Sequence, residues 1–366
     1  MCVDLDGGGI DRYLYNYCSR IDGIEFDFAI VDSKKDGILE PALREMGCEI
    51  FRVPRITDGL KANYRALKEI MTAKQYDAVH VHLGYKSFVA LKCAKACGIK
   101  TRIVHAHIAN VPESRKEKAI RVVSTRITKF YATDLAACGI EAAKWVWGKR
   151  EYEKNRVTVH NNAIETEKYA YSEENKQRHR AELGISDETL VVGHVGRLCD
   201  QKNQLRLLDI YNEIHKERPD SCLLLVGRGE QDNEVSAKAE QLGISDSVKL
   251  LGVRDDIPSL LSAMDVFVFP SKYEGLPFTL IETQCNGLPA LSSDAVTLQV
   301  KVSDRIEFLP LAESDAAWCA AALKSADGGR RTEARGDVVS AGYDIVVESK
   351  KLKKYYTELI QKWKKR

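Results

Sequence analysis

Nowhere in the 366-residue sequence does an apolar run approach the ~18 to 20 residues of a membrane-spanning helix. The N-terminus, Met1-Cys2-Val3-Asp4-Leu5-Asp6, lacks a basic region followed by an apolar stretch and does not read as a signal peptide. Net charge is almost absent. The 55 Lys and Arg against 53 Asp and Glu leave +2, which removes any global electrostatic argument for nucleic acid as a partner. The ten cysteines lack paired spacing. Cys93 and Cys97 stand four apart in a helical pattern, but no second pair follows at zinc-site spacing. They read as free buried thiols, as in a reducing cytosol. Internal repeats and low-complexity tracts are missing too. What remains, with 44% hydrophobic residues, is enough for two ordinary domains, each with its own core.

Within that length, strand and helix patterns alternate. Strands are expected at 25–31, 49–53, 78–82, 101–105, near 136 and at 156–160, with helices at 37–46, 60–72, 87–97 and 113–129 and to 147 between them. A second series has strands at 190–196, 222–226, 248–251, 265–269 and a last one at 288–291, with helices at 204–215, up to 242, at 257–264 and at 279–284. Such alternation predicts parallel, doubly wound sheets, whose ligands bind outside the carboxyl ends of the strands. The boundary is expected near 165–175. The tail, 345–366, predicts a helix with Leu352, Tyr355, Leu359 and Trp363 on one face and Lys350, Lys351, Lys353, Lys354, Lys362, Lys364, Lys365 and Arg366 mostly elsewhere.

Several residues fall where such sheets bind ligands. Phe269-Pro270-Ser271-Lys272-Tyr273-Glu274-Gly275-Leu276-Pro277-Phe278-Thr279-Leu280-Ile281-Glu282 runs from a buried strand through a loop into a helix. It sets Glu274 at the strand's end and Glu282 about one and a half turns into the helix. The free amides of that helix N-terminus suit a phosphate. Arg197 and Lys202, five apart in a loop after a strand, can converge on a diphosphate, one as a fork of donors and one as a compact charge. Two surface cations would be the plainer reading. Asp6-Gly7-Gly8-Gly9 precedes a helix, and its glycines allow close approach of a ligand without matching the dinucleotide spacing. Only five residues precede Asp6, so either the start lies upstream, which is the reading preferred, or the first strand is short. His80, His82, His105 and His107 form two pairs at adjacent strand ends, where structural and catalytic roles both fit. The stretch 113–129 carries Arg115, Lys116, Lys118, Arg121, Arg126 and Lys129, either as a solvated face or as a contact for anionic lipid. Asp256 is read as the cap of the 257–264 helix.

The frame of strand, Pro-Ser, Glu-Gly-Leu-Pro, apolar pair and Ile-Glu resembles the donor-site signature of retaining glycosyltransferases of family 4, of the type found in bacterial capsular and exopolysaccharide biosynthesis. The resemblance runs from Gly8 to the tail and is strongest from Val191 to Pro289. It implies a GT-B fold: two Rossmann-like doubly wound domains facing a cleft, with a C-terminal helix crossing back. Residues 1–168 would bind the acceptor, 169–344 the nucleotide-sugar, and helix 345–366 would pack across both. Asn161 to Tyr169 looks like the family's interdomain connection.

The same resemblance implies roles. Arg197 and Lys202 would clamp the diphosphate, together with the amides of Phe278 and Thr279. Glu274 would hold the sugar, beside Gly275, Leu276 and Pro277, and Glu282 the ribose. Val253 and Arg254 would lie at the base. Gly8 and Gly9 would face the donor, and His107, or His105 next to it, would touch the sugar. The expected activity is retaining transfer by front-face attack, without a protein nucleophile and without a metal or other cofactor, from a UDP-sugar to a lipid-linked saccharide. GDP and ADP are not excluded. A cytoplasmic protein is expected, able to sit at the inner face of the plasma membrane through 115–129 and the C-terminal helix. The alternatives are a GT-B nucleotide-sugar epimerase and an inactive, transferase-like binding subunit.

Overall fold

Every strand pairing among the described residues is parallel. The computed structural model describes residues 1–2, 5, 8–31, 36–109, 111–328 and 334–365. Asp6 and Gly7 of the glycine run and Arg366 of the basic tail lie outside the described residues. The chain divides into two units, Met1–Ala163 with Ile345–Arg366, and Ile164–Asp344. The division thus falls a few residues before the 168/169 boundary expected from the sequence, and the terminal helix Ile345–Lys364 belongs to the first unit.

In the first unit, β1 (Phe28–Val31) pairs with β2 (Ile50–Val53), and β3 (Ala78–Val81), β4 (Thr101–Ala106), β5 (Asp134–Ala137) and β6 (Val157–Val159) form a ladder in that order. Met1 and Cys2 stand between the two groups. Met1 N donates to the His80 carbonyl at 2.8 Å, and His82 N to the Met1 carbonyl at 2.8 Å. Cys2 N donates to Ala29, and Val31 N to Cys2, each at 3.2 Å. Among the described residues, Met1 and Cys2 thus bridge the two groups. The resulting order, β2-β1-(1–2)-β3-β4-β5-β6, is doubly wound about residues 1–2.

The second unit holds β7 (Leu190–Val195), β8 (Ser221–Val226), β9 (Val248–Gly252), β10 (Val266–Phe269), β11 (Ala290–Ser293) and β12 (Ile306–Leu309), in the order β12-β11-β10-β7-β8-β9. β7 and β8 are buried along their whole length, as the continuous apolar runs of a two-sided parallel sheet require. Leu207, Leu208 and Tyr211 from the helix Gln204–Glu217 and Trp318 from the helix Asp315–Asp327 close one face of this core. The strand expected at 288–291 is not the last of this sheet, because β12 follows it and pairs with β11. β12 is an edge strand of four residues, Ile306-Glu307-Phe308-Leu309, too short to show a clear period. The helices Asp315–Asp327 and Arg335–Ser340 lie outside the expected elements.

Candidate functional site

In the second unit the strand order reverses between β7 and β10, and the loops after these two strands meet at their carboxyl ends. His194, fully buried on β7, fixes the first loop. Its Nδ1 lies 2.9 Å from the Val268 carbonyl, to which it donates, so Nε2 accepts from the Gln204 amide at 3.1 Å. Burial pushes the imidazole down to about 4. Gln204 also donates to the Arg197 carbonyl at 2.9 Å and accepts from Cys199 N at 3.2 Å. One buried amide thus holds the 197–204 turn at both ends.

That turn is laced to the loop after β10. Asn203 donates to the Pro270 carbonyl at 3.0 Å, Lys272 N to the Gln201 carbonyl at 2.8 Å, and Gln201 to the Tyr273 carbonyl at 2.9 Å. The lacing places Lys202 Nζ 2.7 Å from Glu274 Oε1 and 4.6 Å from the centroid of the Phe269 ring. The pair is largely buried, at 17% and 9% side-chain exposure. Gly227, after β8, has φ +131°, and a Cβ there would stand 2.1 Å from the Gly196 carbonyl oxygen. Close approach of the β7 and β8 ends therefore requires glycine at 227.

Glu274, Gly275, Leu276, Pro277 and Phe278 are buried, with Thr279 half-buried, as the chain enters the helix Phe278–Cys285 behind Pro277. No side chain caps that helix start. Glu282 is 1% exposed and accepts a 2.7 Å hydrogen bond from the Tyr169 hydroxyl. In the sequence Tyr169 carries no such signal and falls in the stretch 161–169 that resembles the interdomain connection. Arg197 is 68% exposed, with Nε 3.8 Å from a Glu230 carboxylate oxygen. Val253 is exposed. Arg254 grips Asp256 with two nitrogens, Nε to Oδ1 at 2.7 Å and a second to Oδ2 at 2.5 Å. That pair holds the Asp256 carboxyl below its ordinary range. The expected cap is corrected accordingly: the Asp256 side chain does not cap its helix, which is α-helical only over Ile257–Leu260.

Gly8, Gly9 and the histidines lie in the first unit. Gly8 precedes the helix Gly9–Cys18, and its N–H donates to Asp11 Oδ2 at 3.0 Å. Successive strand residues alternate faces, so His80 and His82 share a face of the sheet with His105 and His107. His105 is fully buried, whereas His107 is half-buried and lies with Nε2 2.9 Å from His82 Nδ1. Of the two candidates, His107 is the more accessible. Burial, then neighbouring imidazoles, hold His82 and His105 well below the ordinary histidine range.

The predicted basic helix spans Arg115–Tyr131 and starts with a capping box, Ser114 Oγ accepting from Glu117 N at 3.3 Å and Glu117 Oε2 from Ser114 N at 2.7 Å. Ile120, Val122, Val123, Ile127 and Phe130 are exposed on it, the last at 71%. Two expected cations are engaged: Arg121 with Glu113 at 2.6 and 2.9 Å, and Lys129 with Glu151 at 2.9 Å. On the terminal helix Lys351 lies 2.6 Å from Glu348, Lys364 2.7 Å from Asp77 and Lys362 3.5 Å from Asp134. Among the described residues, no helix is long and apolar enough to cross a membrane.

Residues 175–308 match the family described as Glycosyl transferases group 1. Across nearly its full length the chain is similar to the putative glycosyltransferase EpsF of Bacillus subtilis (strain 168), 28% identical over 352 residues that cover 93% of this chain and 91% of that one. It is 28% identical over 297 residues, 78% of this chain and 76% of the relative, to the UDP-Gal:alpha-D-GlcNAc-diphosphoundecaprenol alpha-1,3-galactosyltransferase of Escherichia coli. The crystal structure of Anabaena Alr3699/HepE in complex with UDP superposes with a TM-score of 0.77 over 98% of both chains, at 19% identity. The fold is GT-B.

Proposed function

We propose that this protein is a retaining glycosyltransferase that moves a sugar from a UDP-sugar to a lipid-linked saccharide, with no metal at the diphosphate. The observation that carries the reading is the Lys202–Glu274 pair at the switch point of the second sheet, beside the uncapped start of the helix Phe278–Cys285. Breaking the anomeric C–O bond places negative charge on the departing diphosphate. Lys202, Arg197 and the amides of Phe278 and Thr279 stabilise that charge as fixed donors. Glu274, released from Lys202 as the diphosphate takes the ammonium, holds sugar hydroxyls and faces the oxocarbenium-like charge. The acceptor's proton passes to the leaving phosphate, so a glycosidase-style pair of carboxylates is not needed. Glu282, oriented by Tyr169, receives the ribose hydroxyls. Val253 and Arg254 flank the base, and Gly8, Gly9 and His107 contact the sugar.

Three observations support the finer points. The Anabaena protein was solved with UDP and also with UDP-glucose, which supports a UDP-linked donor. The name of the Escherichia coli relative supports a lipid diphosphate acceptor. The exposed apolar and basic residues of Arg115–Tyr131 support docking on an anionic membrane surface, where such an acceptor resides.

The test is a thermal-shift titration of the full chain with UDP, GDP, ADP and NAD, with and without magnesium. A ligand that binds only the folded state raises the melting temperature. The expected result is a UDP-selective rise that does not depend on magnesium. A rise only with magnesium overturns the metal-free clamp, and no rise with any nucleotide overturns the donor site. Conversion of a UDP-sugar without acceptor would mark an epimerase, and binding without turnover a binding subunit.

A further inference from the structure

The first unit carries a cluster of side chains that the donor chemistry does not use. His80 and His82 on β3 and its end, and His105 on β4, each present a ring nitrogen, and these nitrogens lie within 4.8 Å of one another. The rings are packed together, with centroids 4.1 Å apart for His80 and His82, 5.3 Å for His80 and His105, and 5.2 Å for His82 and His105. Nε2 of His80 and the hydroxyl of Tyr13, whose ring packs on His105 at 4.9 Å, are buried without a well-formed hydrogen bond, and the buried ring nitrogens of His105 have only the Ala137 backbone in reach. Polar atoms buried in this way call for a partner, an ion or a water. A set of three imidazoles is the donor chemistry of a divalent transition metal.

We propose that His80, His82 and His105 bind one divalent transition-metal ion, of which zinc is the probe used below. Zn–N bonds of about 2.0–2.1 Å set tetrahedral N···N edges near 3.3–3.4 Å, so the ring nitrogens need close by at most about 1.5 Å through ring rotation. The partners of the other ring nitrogens are already in place. His80 Nδ1 lies 2.7 Å from the Tyr356 hydroxyl and His82 Nδ1 2.9 Å from His107 Nε2, which leaves Nε2 of each as the lone pair for the ion. Such outer contacts orient ligating histidines. Burial keeps all three imidazoles neutral, the form that ligates. An ion on His82 Nε2 keeps the His82 proton on Nδ1, directed at His107 Nε2. The remaining N–H of His107 is then Nδ1. The ion therefore sets which face of His107 donates, although His107 is not a ligand. Binding of the ion by these three histidines does not depend on the transferase reading.

The test uses the full chain, freed of metal with a chelator, dialysed and titrated with zinc chloride by calorimetry, then with cobalt(II) followed by absorption. One equivalent of zinc should bind, and cobalt should show visible ligand-field bands without the near-ultraviolet charge transfer of thiolates. His82→Asn and His105→Gln should each weaken zinc at least tenfold. Tyr356→Phe should weaken it about tenfold through loss of orientation. His215→Asn, in the second unit, should leave it unchanged. No stoichiometric binding to the folded wild type, a thiolate spectrum, or unweakened binding in both ligand variants would overturn the proposal. Where a ligand variant fails to melt cooperatively, the wild-type cobalt spectrum decides.

Discussion

Two substitutions at the donor site should separate holding from reacting. Glu274→Gln keeps shape and removes charge. It leaves Lys202 without its carboxylate partner, and it takes from the sugar the charge that faces the oxocarbenium-like centre. Turnover should fall by about 10²–10³, with little change in KM, as for loss of a preorganised electrostatic group. Tyr169→Phe removes only the hydroxyl that donates to the buried Glu282, which should cost about 1–3 kcal/mol of folding stability and raise KM more than it lowers turnover. Steady-state kinetics with a UDP-sugar and melting curves read both; wild-type turnover in Glu274→Gln would refute the role given to that carboxylate. Glu274 was legible in the sequence because its neighbours carry a fixed frame of strand, loop and helix. Tyr169 was not, because it meets Glu282 across 113 residues. His194 and Gln204 were hidden for a related reason. Each looks like an ordinary strand or helix residue until the fold sets them 3.1 Å apart.

Among the elements, the helix Arg115–Tyr131 shows how pattern and packing diverge. Its charge was readable, but not which charges are spent. Arg121 is bound to Glu113 and to the Trp145 carbonyl at 3.0 Å, and its guanidinium lies 4.4 Å from the Trp145 ring centroid. Lys116, Lys118 and Arg126 are exposed alongside Ile120, Val123 and Phe130. Juxtaposed apolar and basic groups of this kind favour an anionic interface, at about 1 kcal/mol per cation. Binding to vesicles of mixed phosphatidylglycerol and phosphatidylcholine should therefore weaken about fivefold for each of Lys116→Ala and Lys118→Ala, and further with Phe130→Ser. Arg121→Ala should leave vesicle binding unchanged but lower the melting temperature. Cosedimentation that responds to Arg121 and not to Lys116 or Lys118 would remove this face as the docking surface. The strands were easier to read than the helix faces, since long apolar runs such as 190–195 and 222–226 have one use in a doubly wound sheet. β12 escaped because four edge residues, half of them exposed or partly so, carry no period.

At the scale of the whole molecule the histidines make stability a function of pH. Burial pushes His160 in the first unit and His194 in the second down to about 4, and holds His80, His82 and His105 well below their ordinary value. The unfolded chain titrates near 6.5, so it takes up protons before the folded chain does. Stability is therefore complete above pH 6.5 and is lost as pH falls from 6.5 towards 4, by about 2 kcal/mol at pH 5 for each histidine whose folded value is about 4. Carboxylates held low by partners, such as Glu151 and Asp256, act only at lower pH, so the window from 6.5 to 5 isolates the imidazoles. Calorimetric melts should show the melting temperature falling through that window. The transition of the first unit should move more, because that unit carries the histidine cluster together with His160. Zinc, which competes with protons for the same ring nitrogens, should offset part of the first unit's loss at pH 6. A melting temperature constant from pH 7.5 to 5 would mean that the imidazoles are hydrated, and that neither the acid sensitivity nor the buried cluster behind it describes this protein.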